Sequence, residues 1–278
     1  MGGAMMRNLI RASSSVWIYD VSDTARAAAS AAGAAVLNDL ADFPASCRIL
    51  LSSLPHVAAL NDTVAGLASG KMDGRILVET STLPIPAKHA ALEKLSSVGM
   101  RVLDAPVSGT GAQAEHRDII VLASGDRQAF DEVLPVLHLV ARSAHFLGPF
   151  GAGMTMKLIA NHLVAVHSLA AAEALALGAK AGVELSAMLP VLCDSAAASR
   201  MLAVRGPVMV AESFDPPTAH LGTLLKDLEL IQDLASRSGA IMPLLERAAE
   251  VYRQAGHAGW ERRDIAEIYR YVRDRKPS

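Results

Sequence analysis

Gly148-Pro149-Phe150-Gly151-Ala152-Gly153-Met154-Thr155-Met156-Lys157-Leu158-Ile159-Ala160-Asn161 divides the chain into two regimes. Before it, short apolar runs alternate with helical patterns. After it, strand patterns vanish. Gly148, Pro149 and Gly151 break the first regime, and an alanine-rich helical pattern then runs to about Gly182. Lys157 and Asn161 are four residues apart, so they share one face of that helix. An ammonium and an amide one turn apart can hold an oxygen-rich small molecule. A lysine on a solvated helix face is the plain alternative, and the stretch alone leaves both open.

Upstream, short strands are expected at 16–19, 49–52, 76–79, 101–104, 119–123 and 144–147. Helices are expected at 4–11, 24–32, 57–68, 86–97 and 127–137. Short strands separated by helices imply an α/β domain, a Rossmann-like parallel sheet with helices on both faces, over residues 1–150. Residues 151–278 carry helical patterns at 152–181, 186–193, 196–204, 220–237, 241–255 and 263–273. They read as an all-helical domain.

Composition narrows the partners. The chain has 278 residues, 51% of them hydrophobic, and a formal net charge of -2. No basic stripe gathers its cations, so no nucleic-acid partner is expected. Cys47 and Cys193 lack a CxxC partner and the histidines lack ligand spacing, so neither a disulfide framework nor a metal site is expected. There is no signal-peptide pattern, and the alanine-rich helix is broken by His167, Ser168, Glu173 and Lys180. It reads as a buried helix rather than a membrane span, and a cytoplasmic protein is expected.

In an open α/β sheet, ligands bind at the carboxyl ends of the strands. Those ends carry Asp20, Ser53-Leu54-Pro55, Thr80-Ser81-Thr82 and Ala105-Pro106-Val107-Ser108-Gly109. The Asp20 carboxylate suits a ribose diol, though a helix cap or turn is an equal reading. No arginine follows it at once to neutralise a 2′-phosphate, which favours NAD over NADP. The chain enters helix directly after Met1-Gly2-Gly3, without an opening strand or a full G-x-G-x-x-G turn. In the usual topology that strand is central. Its loss is expected to leave two half-sheets, and to mean an internal start within a longer reading frame or a compromised variant.

Several motifs now stand in order along the chain. Gly2, Met5 and Asn8-Leu9 look like the tail of a G-L-G-x-M-G-x-x-M-x-x-N-L turn and helix. Leu54-Pro55, Ser81-Thr82, Asp104-Ala105-Pro106-Val107-Ser108-Gly109, Gly151-x-Gly153-x-x-x-Lys157-x-x-x-Asn161 and Lys226-Asp227-Leu228 follow. Over nearly its whole length the chain resembles the β-hydroxyacid dehydrogenases, the family of 3-hydroxyisobutyrate dehydrogenase and tartronate semialdehyde reductase. The resemblance implies an NAD-dependent interconversion of a small 3-hydroxy carboxylic acid (hydroxyisobutyrate-, glycerate- or threonate-like) with its semialdehyde or keto acid. It implies Lys157 as the acid–base group. Ser108, Gly109, Thr110, Asn161 and Lys226 would hold substrate. Gly2, Asp20, Leu54, Pro55, Ser81, Thr82 and Lys226 would hold cofactor. A homodimer or homotetramer is implied as well.

The chain also departs from the family pattern. Thr110, Gln113 and Arg117-Asp118 stand where glycines or Gly-Thr are common, and His162 replaces a second asparagine. The added side chains suit a more hydroxylated acid. On residues alone, Lys226-Asp227 reads first as a solvated face. The incomplete glycine turn keeps a second reading open, a catalytically weak or inactive nucleotide-binding scaffold. An imine reductase is disfavoured by the presence of Lys157. A 6-phosphogluconate-type enzyme is disfavoured by the short chain.

Overall fold

The computed structural model describes residues 1–12 and 14–275. It divides into two compact units, Met1–Lys157 and Leu158–Ser278. The first unit runs α1 (Gly2–Arg11), β1 (Trp17–Ile18), α2 (Asp23–Ala31), β2 (Ala35–Val36), β3 (Ile49–Ser52), α3 (Val57–Ala68), β4 (Ile76–Glu79) and α4 (Ile85–Ser96). It continues with β5 (Arg101–Asp104), β6 (Val107–Ser108), α5 (Gly111–Glu115), β7 (Ile120–Gly125), α6 (Arg127–Val140), β8 (Ser143–Phe146) and the start of α7 (Ala152–Lys180).

The period-2 pattern of the strands fixes the layers. Ile76, Val78 and Leu103 point to one face, where α1 and α6 supply Ala4, Met5, Phe130, Val133 and Leu137. Leu50, Leu77 and Val102 point to the other, against Leu60, Val64 and Leu67 of α3 and Ala91 and Leu95 of α4. Burial on both faces is why these strands read as near-continuous apolar runs.

The strands form two sheets. β1 pairs with β2 in parallel, and β3, β4 and β5 are parallel neighbours in a six-stranded sheet. Helix α1 packs against both: Ala4 and Met5 enter the core of the larger sheet, while Met6 packs beside Ala29 and Ala34.

The expected parallel pairing holds from β3 to β5 and does not extend through the whole sheet. β7 runs antiparallel to β5 and β6, and only β8 is parallel to β7. The link from β6 to β7 holds only the five-residue α5, and a parallel crossover needs a dozen or more residues. β2, β6 and α5 were not expected, and the helix expected at 196–204 forms instead as α9 (Arg200–Ala211).

The second unit is helical among the described residues. After α7 come α8 (Leu185–Asp194), α9, α10 (Leu221–Ser238), α11 (Pro243–Ala255) and α12 (Ile268–Asp274). Ala165, Ala172, Leu175, Leu228, Ile231, Ala249 and Tyr252 are buried here. The Tyr252 hydroxyl donates to the Ala165 carbonyl at 3.0 Å, satisfying the polar end of a buried ring. By length and composition alone, α7 is long and apolar enough to cross a membrane, with a mean hydropathy of 1.4 over its best window. The core helix of a folded domain passes the same test, and the scattered polar residues interrupt the run without lowering its average far.

Candidate active site

The carboxyl ends of β3, β4 and β5 form one edge of the larger sheet. Cross-strand register places Ser52 opposite Glu79, Glu79 opposite Asp104, and Asp104 opposite Ser124 of β7. Glu79 and Asp104 are 1% and 0% exposed. Two carboxylates side by side in a buried sheet repel unless a cation lies between them. Lys88 of α4 is that cation. Its Nζ is 2.7 Å from Glu79 Oε2 and 2.6 Å from Asp104 Oδ1, and the residue is 1% exposed.

The loops after these strands hang from this network. The Ser81 N–H donates to Glu79 Oε1 at 2.9 Å, and Ser81 Oγ accepts the Leu54 N–H at 2.7 Å. A Cβ added to Gly2 would lie 3.4 Å from Ser53 Cβ, so the N-terminus of α1 abuts the same loop. The structure thus brings together Gly2, Leu54 and Ser81 of the expected cofactor residues. Pro55 is exposed beside Leu54, and Thr82 is half-buried beside Ser81. Asp20 is exposed after β1, in the other sheet, where it accepts the Ser22 N–H at 2.8 Å. The donor set suits a dinucleotide: a helix N-terminus for phosphate and a carboxylate for a diol.

On the far side, Asp104 receives α7. Its Oδ2 accepts the Met154 N–H at 2.8 Å and also lies 3.1 Å from Ser124 Oγ, which accepts the Gly153 N–H at 2.9 Å. A carboxylate at a helix start satisfies amides that the helix cannot, and it complements the helix dipole. Gly153 must be glycine, because a Cβ there would stand 2.2 Å from the Leu122 carbonyl and 2.8 Å from that of Asp104. Lys157 is three residues beyond Met154, on the same helix face, and is 8% exposed.

Asp104 also begins the Ala105–Gly109 loop. Gly109 has φ +137°, and a Cβ there would meet Ile119 at 2.6 Å. Thr110 caps α5: its Oγ1 accepts the Gln113 N–H at 3.3 Å, and its own N–H donates to Gln113 Oε1 at 2.9 Å. Gln113 Nε2 in turn donates to Asp118 Oδ2 at 3.2 Å. Thr110 and Gln113, expected to add hydrogen-bonding side chains at the substrate loop, also bond to each other. They are engaged in a capping box that stiffens the loop.

Asn161, Lys226 and Asp227 form a cluster of their own in the second unit. Asn161 Nδ2 donates to Asp227 Oδ2 at 2.7 Å, joining α7 to α10. Asp227 is 6% exposed, so it is not on a solvated face. The Lys226 side chain is 42% exposed, with Nζ 3.7 Å from Asp227 Oδ1. His162 is half-buried, and burial followed by the charge of His167 pushes its imidazole below its ordinary value.

Two family models divide the chain between them. The NAD binding domain of 6-phosphogluconate dehydrogenase matches residues 1–148, and the NAD-binding domain of NADP-dependent 3-hydroxyisobutyrate dehydrogenase matches 151–272. The chain belongs to the β-hydroxyacid dehydrogenase family. It is 31% identical over 273 residues to the L-threonate dehydrogenase of Escherichia coli, covering 96% of this chain and 89% of that protein. It is 31% identical to the NAD-dependent L-serine dehydrogenase of Pseudomonas aeruginosa, covering 96% and 93%. The crystal structure of 3-hydroxyisobutyrate dehydrogenase from Salmonella typhimurium superposes with a TM-score of 0.85 at 30% identity, covering 97% and 95%. As a member of this family the chain is an NAD-dependent hydroxyacid oxidoreductase, with NADP the less favoured cofactor, and the scaffold reading is not favoured.

Sequence reasoning missed Lys88, Glu79 and Ser124. A signal was present: acidic residues close two neighbouring buried strands at the same level. That pattern calls for a buried cation, and α4 between the two strands carries one.

Proposed function

We propose that the chain oxidises a small hydroxylated acid with NAD, threonate-like in the first instance and glycerate- or hydroxyisobutyrate-like next, or runs the reverse reduction. One observation carries the reading. Lys157 is buried in the early turns of a helix whose first amides are held by Ser124 and by Asp104, the residue from which the Ala105–Gly109 loop departs. NAD supplies the hydride acceptor. Lys157 exchanges the proton at the reacting oxygen, taking it from the alcohol in oxidation and giving it to the developing alkoxide in reduction. The Ser108 hydroxyl, the Gly109 N–H and the Thr110 hydroxyl, which serves the capping box only as an acceptor, hold the substrate carboxylate. Asn161, held by Asp227, and Lys226 are proposed as substrate residues on the family resemblance alone. Gly2 at the start of α1, Asp20 and the Leu54–Pro55 and Ser81–Thr82 loops hold the dinucleotide.

The preference for a hydroxylated acid rests on the names of the relatives and on the polar character of these side chains. The exposed apolar residues of α7, Ile159, Leu163 and Leu177, support a homodimer or homotetramer. The chain's two cysteines, both free, fit a cytoplasmic setting.

The test is absorbance at 340 nm with L-threonate, L-serine, glycerate and 3-hydroxyisobutyrate, each with NAD and with NADP. Turnover with at least one acid, faster with NAD, is expected. Absence of NADH binding, measured by fluorescence on chain whose circular dichroism spectrum is folded, would remove the reading.

A further inference from the structure

The buried row Ser52–Glu79–Asp104–Ser124 does more than neutralise charge. Its two ends serve different loops. At the Glu79 end, the carboxylate holds the Ser81 amide, and Ser81 holds Leu54. At the Asp104 end, the carboxylate and Ser124 hold the Met154 and Gly153 amides at the start of α7. Lys88 is the only residue of the network bound to both carboxylates among the described residues.

We infer that Lys88 is a positioning residue, joining the Leu54–Ser81 loops and the first turn of α7 into one rigid assembly through its paired contacts with Glu79 and Asp104. This rests on the reading of Lys157 as the proton-handling group, because Lys157 is placed by that first turn. Two carboxylates and one ammonium leave one net negative charge in a dry sheet edge. The amides of Ser81 and Met154 donate directly into that charge, and that of Gly153 reaches it through the Ser124 hydroxyl. Withdrawing Lys88 leaves two adjacent carboxylates, which must separate or take up a proton. In either case the amides at both ends lose a fixed acceptor.

The geometric demand on a proton-transfer group makes the consequence large. A displacement of about 1 Å at Lys157 is enough to lower turnover about 100-fold. Lys88 needs no contact with substrate or cofactor to produce that effect.

The experiment compares full-length wild type, Lys88→Met and Ser124→Ala by hydrogen exchange and by steady-state kinetics. In Lys88→Met, exchange should rise together in peptides covering 52–55, 79–83 and 151–157, by at least about tenfold, with β8 and α6 as in wild type. In Ser124→Ala, exchange should rise at 151–157 alone. Turnover per folded chain should fall about 10- to 100-fold in Ser124→Ala, with KM for NAD within about threefold of wild type. A purely structural role would lower the folded fraction and leave kcat per folded chain intact.

If Lys88→Met does not fold, Ser124→Ala decides the Asp104 end alone. Wild-type exchange at 151–157 in the folded variants, or a uniform rise over the whole chain, would overturn the inference. A wild type that binds NADH but oxidises no acid would overturn the reading of Lys157, while the exchange pattern would still decide the coupling.

Discussion

Lys88 and Lys157 are both buried lysines, 1% and 8% exposed, and both lie on helices where a lysine ordinarily reads as solvated. What separates them is their place in the fold. Lys88 Nζ lies within 2.7 Å of two carboxylates, so its charge is compensated and fixed. Lys157 sits where a helix start meets the departure of the Ala105–Gly109 loop, and this placement suits proton exchange with a bound alcohol. Lys157→Ala is therefore expected to lower kcat by about two to four orders of magnitude. NADH affinity, read by fluorescence titration, should stay near wild type, and near-normal turnover would remove Lys157 from the role. His162, one residue past Asn161, gives a pH signature. Its burial and the nearby His167 lower its proton affinity in the folded chain relative to the ordinary value of 6.5. Between that ordinary value and the lower folded one, the unfolded chain binds more protons. Stability contributed by the neutral imidazole is thus lost as pH falls through that window and levels off below it. Urea midpoints measured from roughly pH 7.5 to 5 should show this slope in wild type. His162→Asn should flatten it. An unchanged slope in the variant would assign the effect to another group.

Helix α7 shows where an element's start is decided by its neighbours rather than by its own propensity. Gly153→Ala should stabilise an isolated helix by about 1 kcal/mol, since alanine is the better helix former. In this chain the new Cβ would meet the Leu122 carbonyl at 2.2 Å, a backbone atom that cannot swing aside. The clash should dominate, with a net loss of about 1–3 kcal/mol in urea unfolding. A variant more stable than wild type would show that the first turn does not press on β5 and β7. The same contrast explains what the sequence made legible. α3 at 57–68, β4 at 76–79 and β5 at 101–104 matched residue for residue, because each is a full-length element with its own apolar period. β2 and β6 have two residues each, too few to show a period. The reversal of β7 is invisible locally, because strand direction is set by the short link before it rather than by its composition. α5 was legible in principle from the capping pair Thr110 and Gln113, but a glycine-for-polar exchange in a substrate loop invites a binding explanation first.

At the scale of the whole molecule, α7 is also where an assembly would leave its mark. A helix in a folded unit normally turns its apolar residues inward. Along α7, Ala165, Ala172 and Leu175 do so, while Ile159, Leu163 and Leu177 are 50%, 48% and 71% exposed. Ile159 and Leu163 are one turn apart and Leu177 lies 14 residues beyond Leu163, so the three recur along one side of the helix. Single exposed leucines are ordinary, but a repeated apolar line on the longest helix is what an isologous interface needs. The proposed dimer or tetramer should therefore depend on it. Leu163→Lys places an ammonium in that line, where a partner copy would have to desolvate it. By light scattering after size exclusion, wild type should run at two or four times the 29.2 kDa chain mass. The variant should run at a smaller multiple, with its helical circular dichroism retained. A wild type of single-chain mass at micromolar concentration would end the oligomer proposal. A variant of unchanged mass would move the interface to another face.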